Sequence, residues 1–161
     1  MILASLLPGL AHLQNIHPLV VHYPLALLSL TLPVYLATWI AGRPGWAWLA
    51  FGMLILGTVG GWAAAATGLY AEDGVMVARS VRAHLLLHHE HLMLVTVGLA
   101  TIATVWAGLA PPFPGRARPL FVLLLIALVT TMTVAADYGG RLVYDYNAGG
   151  DACGQPIDFT R

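Results

Sequence analysis

The sequence contains no lysine, and only 9% of its 161 residues are charged. A soluble domain carries about 25% charged residues. Because 59% of the residues are hydrophobic, the chain lacks the charge to cover the surface of a water-soluble domain. Lipid must therefore be its main solvent, and the length suits one domain. The formal net charge is zero, which argues against a nucleic-acid partner.

Cysteine is almost absent, since Cys153 is the only one in the sequence. The chain cannot form an internal disulfide, and it has no Cys-x-x-Cys-His motif for covalent haem attachment. A basic N-terminal region is also missing, because the first charged residue is Arg43. A secretory signal begins with such a region, so we expect the N-terminal segment to stay in the mature protein.

Four stretches are long and apolar enough to cross a bilayer, which takes about 20 residues. They cover residues 18–41, 46–70, 83–109 and 119–136. The sequence therefore predicts an all-α, integral membrane four-helix bundle with up-down-up-down topology and both termini on the same side. We expect residues 1–16 to form an interfacial segment, 17–144 the transmembrane domain and 145–161 a polar tail.

The short turns of this topology carry Arg43, Arg116 and Arg118 and no acidic residue. The opposite side carries the other four arginines and all seven acidic residues. Basic residues near span ends favour the cytoplasm. We therefore expect the short turns to be cytoplasmic and the termini to lie outside.

The second predicted span carries Gly57, Gly61 and Ala65 at four-residue spacing. Small residues so placed allow the backbone of another helix to approach closely. Plain helix packing is the favoured interpretation. A groove facing a cofactor is the alternative, because a flat porphyrin also needs small neighbours.

Histidines provide the clearest functional signal, and none of the seven lies near the short turns; they are His12, His17, His22, His84, His88, His89 and His91. On a helical wheel at about 100° per residue, His84, His88 and His91 share one stripe of the third span. His89 falls outside that stripe. Ionisable groups within a span usually face the bundle interior and mark a function. We therefore expect the stripe to face His17 and His22 of the first span.

Two imidazoles from facing helices suit the axial positions of a b-type haem. Our main prediction pairs His22 with His88 or His91 as the iron ligands. His17 and His84 would form a second haem pair or hydrogen-bond to the first. We interpret His12 and His89 as polar anchors.

Other chemistry remains open for the same residues. Imidazole and carboxylate ligands also suit zinc, copper and non-haem iron, and Glu90 lies among the histidines. The alternatives are thus a metal-binding membrane protein, a proton or quinol relay, and a structural subunit that anchors a larger complex. Because no Ser-His-Asp, Cys-His or phosphate-binding pattern occurs, we expect an electron-transfer protein or an oxidoreductase subunit.

The end of the fourth span contains Asp137 and Arg141, four residues apart. Such a pair can form an ion pair on one helix face, and this is the favoured interpretation. Alternatively, Arg141 holds a haem propionate or an anionic partner, since it lies on the histidine side.

Four motifs resemble those of a known family: the run from Ile16 to Pro24, the stretch ending in Ala66-Thr67-Gly68, the histidine-led third span and the segment from Gly139 to Tyr144. Together they resemble a bacterial family of small four-helix membrane proteins, catalogued as domain of unknown function 2231. The family is similar to four-helix b-type cytochromes, and versions of it occur beside electron-transfer modules. The resemblance implies His17, His22 and a third-span histidine as ligands.

The sequence as a whole predicts a b-type cytochrome subunit of the bacterial inner membrane, holding one haem b, or two, near the outer face. It would pass electrons between a quinol pool or a membrane enzyme and an extracytoplasmic redox partner. A homo-oligomer and a subunit of a larger complex are both compatible with this prediction. The lack of histidines at the other face argues against two haems spanning the bilayer.

Overall fold

The protein is described by a computed structural model that covers residues 16–110 and 114–148. Four helical spans in it are long and apolar enough to cross a membrane: span 1 (His17–Ala41), span 2 (Pro44–Gly74), span 3 (Arg79–Leu109) and span 4 (Gly115–Tyr146). No strand occurs within the two described ranges. The predicted all-α membrane fold with four spans is therefore confirmed. The predicted N-terminal segment and polar tail lie for the most part outside the described residues, and the side of the termini stays a prediction.

The spans are assembled from shorter helical pieces. Span 1 consists of α-helices His17–Val20 and His22–Ala41, and span 2 of α-helix Pro44–Ala71 and the 3₁₀ turn Glu72–Gly74. Span 3 consists of α-helix Arg79–Val81, a π-helical turn at Arg82–Leu86 and α-helix Leu87–Leu109. Span 4 consists of the 3₁₀ turn Gly115–Ala117 and α-helix Arg118–Tyr146.

The interruptions and ends of these helices have local causes. Pro24 has no N–H to donate to the carbonyl of Val20, and span 1 is interrupted beside it, at Val21. Gly42 ends span 1 with a φ of 62°, a left-handed conformation that glycine adopts without steric cost. Span 4 ends at Tyr146, and Asn147 after it is also left-handed, with a φ of 51°. The helix of span 4 thus extends ten residues beyond Ala136, where the apolar stretch was predicted to end. A helix can continue past its apolar stretch once it has left the membrane.

Adjacent spans pack around a common core, with span 1 against spans 2 and 4 and span 3 against the same two. Residues of span 2 that come later in the sequence lie against residues of span 1 that come earlier. A Cβ on Gly57 would touch Leu28, and one on Gly60 would touch Pro24. These two spans are therefore antiparallel. In the core, the Phe121 ring lies edge-on to Tyr35, with ring centres 5.2 Å apart.

The small residues of span 2 serve helix packing, as predicted. Gly57 and Gly61 are buried, the first against span 1 and the second against Val97 of span 3. A Cβ at Gly57 would lie 2.7 Å from Leu28 Cδ2 and 2.8 Å from its Cγ. The absence of a side chain thus sets the distance between spans 1 and 2.

Gly57→Ala is expected to destabilise the bundle by about 1–3 kcal/mol, the usual penalty of overpacking a filled core. Gly52→Ala is the matched control on the same helix, because nothing lies within 4 Å of a Cβ there. Thermal unfolding of both variants in detergent measures the difference. Equal melting temperatures for the two variants would contradict the role of Gly57 in close packing.

The connection between spans 2 and 3 is held by Arg82. Its guanidinium donates to Glu72 Oε1 at 2.9 Å and to the backbone carbonyls of Glu72 and Val75 at 2.9 and 3.1 Å. Charged hydrogen bonds of this kind are stronger than neutral ones. The clamp fixes the start of span 3, where four of the histidines follow within three helical turns.

Candidate functional site

His17 begins span 1, and its ring reaches across to span 2. The ring Nδ1 lies 2.9 Å from the carbonyl oxygen of Ala64 and 3.2 Å from Thr67 Oγ1. A carbonyl oxygen only accepts, so Nδ1 carries the proton and donates it. The Thr67 hydroxyl gives its own proton to backbone carbonyls of span 2, and its oxygen is thus also an acceptor for His17. In the neutral ring, the lone pair therefore resides on Nε2.

His89 is held in the same way by the other pair of spans. Its Nδ1 lies 2.8 Å from the carbonyl oxygen of Ala135 in span 4. The carbonyl again requires that Nδ1 donates, which assigns the lone pair to Nε2. Histidine ligands of metals are commonly oriented by such a hydrogen bond from the second ring nitrogen.

A glycine on the partner helix makes room for each ring. A Cβ on Gly68 would lie 2.9 Å from His17 Cε1, and one on Gly139 would lie 2.7 Å from His89 Cε1. Any side chain at either position would displace the ring. Gly68 and Gly139 thus each provide the space that one imidazole ring occupies.

The two rings meet inside the end of the bundle, and we call them the histidine pair. Their centres lie 6.4 Å apart and their planes are inclined by 80°. Two imidazoles on opposite sides of one metal ion have ring centres about 6.3 Å apart, from a metal–nitrogen bond of about 2.0–2.1 Å and about 1.1 Å more to each centre. The distance between the ring centres is therefore close to that expected for two imidazoles on one ion, and the assigned tautomers leave the lone pair of each ring on Nε2.

Three predicted ligands are not part of this pair. His22, His88 and His91 are all exposed on the surface of the chain. The expectation that the stripe of span 3 faces span 1 was therefore wrong, whereas His89, interpreted as a polar anchor, is the histidine that points inward. A ligand role for each of the three exposed residues stays a prediction.

His84 and His88 form a second cluster, with Tyr138 of span 4. The two imidazole centres are 5.3 Å apart, and the His88 ring stacks on Tyr138 with centres 5.5 Å apart and planes inclined by 20°. Both histidines are exposed. The predicted adjacency of His84 and His88 on one stripe is thus confirmed, although the stripe faces outward.

Arg141 lies two residues after Gly139 and therefore on a different helix face from the one that seats His89. Its guanidinium pairs with Asp145, with Nε 3.6 Å from Oδ2, and both side chains are half exposed. The predicted ion pair with Asp137, four residues before Arg141, was wrong. The partner of Arg141 is Asp145, four residues after it. The propionate role of Arg141 stays a prediction.

The inward position of His89 escaped sequence reasoning because all four spans are apolar on every side. When a helix has no polar face, a helical wheel shows which residues share a side of the helix but not which side faces the bundle interior. Polarity suggested that the larger histidine group is internal, but near a span end an exposed imidazole meets the polar interface at little cost. The signal that identifies the pair is the glycine: Gly68 and Gly139 each stand opposite one ring.

Metal ligation by larger clusters is not supported in the described parts of the chain. Among residues 16–110 and 114–148, no three histidine, cysteine, aspartate or glutamate side chains are grouped so as to hold a metal ion. Zinc sites use three or four protein ligands. The geometry of the histidine pair therefore suits an ion that brings most of its other ligands with it. His12 and Cys153 lie outside the described residues.

Comparison with known proteins supports the resemblance noted above. The model of a family described as "Predicted membrane protein (DUF2231)" matches residues 13–152, which is most of the chain. The chain belongs to this family. No curated protein and no solved structure gave a significant match.

Proposed function

We propose that this member of the family is a membrane b-type cytochrome subunit that holds one haem between His17 and His89. The observation that carries the proposal is the histidine pair, with ring centres 6.4 Å apart and both Nδ1 atoms bonded to backbone carbonyls. The proposal keeps the haem of the sequence-based prediction but changes its ligands. His17 replaces His22, and His89 replaces His88 or His91.

Haem is favoured over a bare metal ion by the number of ligands. A porphyrin supplies four nitrogens, so two imidazoles complete the six-coordinate iron. A bound haem would supply one-electron redox chemistry at this position.

The residues around the pair would hold the iron in one geometry. Each ring is held at Nδ1 by a backbone carbonyl and packs with one edge against a glycine, which restricts its rotation. Hydrogen bonds from ligand imidazoles raise ligand basicity and so influence the reduction potential. Axial ligand identity and burial are the other determinants of that potential.

We further propose that electrons pass between a quinol pool or a membrane enzyme and a redox partner at the histidine end of the bundle. The arginines of the short turns favour the cytoplasm. The histidine end would then face the periplasm of a bacterial inner membrane.

The absorption spectrum of the tag-free protein, purified in detergent from haem-sufficient cells, tests this proposal. We expect a Soret band, a reduced α-band at the b-type position and one haem per chain by pyridine haemochrome. A colourless protein would overturn the proposal, and metal analysis of the same sample would then distinguish a metal-binding protein from a structural anchor.

A further inference from the structure

We propose that the end of the bundle formed by the two short turns binds the headgroup of an anionic phospholipid through Arg43 and Arg116. Together with Arg118, these residues form a surface that we call the arginine patch. The patch lies at the end opposite the histidine pair and shares no residue with it. Nothing in this inference depends on the presence of haem.

The packing of spans 1 and 4 brings the two short turns to the same end of the bundle. At the start of span 1, His17 meets His89, which bonds to the Ala135 carbonyl late in span 4. Farther along span 1, Tyr35 meets Phe121, which comes early in span 4. Spans 1 and 4 are therefore antiparallel, so the end of span 1 lies beside the start of span 4.

The arginines of the patch lie at similar heights along the bundle. Arg43 follows Tyr35 by eight residues, and Arg116 precedes Phe121 by five. At 1.5 Å per residue, these steps correspond to about 12 Å and about 7.5 Å along the axis. Arg118 lies between Arg116 and Phe121, and all three arginines are exposed. The heights of Arg43 and Arg116 thus differ by less than the thickness of one headgroup layer, about 5–7.5 Å.

No acidic side chain lies near the patch among the residues that the structure describes. On span 3 the closest is Glu90, 19 residues before Leu109. On span 4 it is Asp137, 19 residues after Arg118. A helix of 19 residues is about 28 Å long, whereas charges are largely screened beyond about 8 Å at physiological ionic strength. The described chain therefore does not balance the charge of the patch, which attracts an anion from outside.

Tryptophans indicate that this end of the bundle lies at the membrane interface. Of the five in the sequence, four lie within four residues of the short-turn end of their span: Trp39, Trp46, Trp48 and Trp106. The first three are exposed. An indole combines an apolar ring with an N–H donor and is enriched at the level of the headgroups. The anion nearest to the patch in a bilayer is therefore a lipid phosphate rather than a soluble acidic partner.

The side chain of Arg43 is restricted in a way that suits a phosphate. Its guanidinium carbon lies over the Trp46 ring, 5.4 Å from the ring centre. A cation–π contact of this kind limits the freedom of the arginine and leaves its N–H groups able to bond to an anion. Arginine binds phosphate with two parallel N–H donors. The charge and the donor geometry of the patch thus both fit the headgroup of an anionic phospholipid.

Quenching of tryptophan fluorescence by brominated lipids tests this surface, because four of the five tryptophans lie beside it. The tag-free protein is reconstituted in phosphatidylcholine vesicles that contain increasing fractions of brominated phosphatidylglycerol or brominated phosphatidylcholine. The comparison gives the relative affinity for the anionic lipid. We expect the wild type to favour phosphatidylglycerol at least about fivefold, the attraction of one arginine near an anionic surface. Arg43→Gln and Arg116→Gln should each weaken this relative affinity about fivefold.

Arg79→Gln is the matched control, since Arg79 is an exposed arginine at the histidine end of the bundle. It should keep the wild-type preference for phosphatidylglycerol. Unchanged melting temperatures verify that the three variants fold. Equal loss in Arg79→Gln, or a wild-type protein without any preference between the two lipids, would overturn the proposal.

Inorganic phosphate distinguishes a lipid headgroup from a free anion as the occupant of the patch. Replacement of chloride by phosphate at equal ionic strength should leave the preference for phosphatidylglycerol unchanged, because the bilayer presents its headgroups at a far higher local concentration. Loss of the preference in phosphate would show that the patch takes a soluble anion, and the lipid site would be refuted.

Discussion

His17→Ala and His89→Ala are each expected to abolish haem retention. Under the proposed ligation, each change would remove one of the two imidazoles that hold the iron and leave a space beside Gly68 or Gly139. The measurement is haem per chain by pyridine haemochrome after purification, together with the Soret absorbance. We expect the wild type to hold one haem and both variants almost none.

Two controls separate ligation from general damage to the histidine end. His22→Ala and His91→Ala remove imidazoles from the same end, but from exposed positions, and should keep haem at the wild-type level. If His22→Ala lost haem and His89→Ala kept it, the iron would be held by the exposed residues and our assignment would be wrong.

A ligand replacement gives a readout that a merely structural role would not produce. In His89→Met the thioether can take the axial position, and histidine–methionine ligation raises the reduction potential of a b-type haem. We expect this variant to retain part of its haem and to show a higher midpoint potential. A His89 that only supported packing would leave the potential unchanged.

Gly139→Ala is expected to have the second largest effect. The added Cβ would lie 2.7 Å from Cε1 and 2.9 Å from Nδ1 of His89, closer than atoms of this kind approach. The ring must therefore move, and its hydrogen bond to the Ala135 carbonyl is lost or bent. We expect a loss of about 1–3 kcal/mol in stability, the usual range for overpacking. Haem affinity should fall in parallel.

Gly140→Ala is the neighbouring control. A Cβ there would have its nearest contact at 3.9 Å, on the Tyr144 ring, which is ordinary van der Waals separation. Alanine favours helix over glycine by about 1 kcal/mol, so this variant should be neutral or slightly more stable. Thermal unfolding and haem titration of the two variants measure the contrast. Equal loss in both would show that the glycines act through backbone flexibility rather than as a seat for His89.

The four spans could be predicted because apolar length alone identifies a membrane helix. The same property limited the prediction of the site: helices that are apolar all round do not reveal their inward face. His84 and His88 were correctly grouped, since four-residue spacing is a local property. His89 was not predicted as the partner of His17, because its inward position depends on how spans 3 and 4 pack. Gly139 of span 4 provides the space for the His89 ring.

The ends of the spans could also be predicted where a local sequence feature sets them. The short turn that carries Arg43 was predicted from the sequence, and in the structure Gly42 begins it with a φ of 62°. The apolar part of span 4 was predicted to end at Ala136, with Asp137 and Arg141 on the helix beyond it, and the structure extends that helix to Tyr146. Arg141 and Asp145 lie in this extension and form their ion pair on it.

The π-helical turn at Arg82–Leu86 divides span 3 into two parts of different rotational setting. The first part is anchored to the loop through Glu72, and the second is fixed by buried packing from Thr96 onwards. One wide turn between them absorbs the mismatch, as such turns often do at functional positions. His88 and His89 both follow this turn on one α-helix, so the rotation of that helix after the turn places the His88 ring on the outside of the bundle and the His89 ring on the inside.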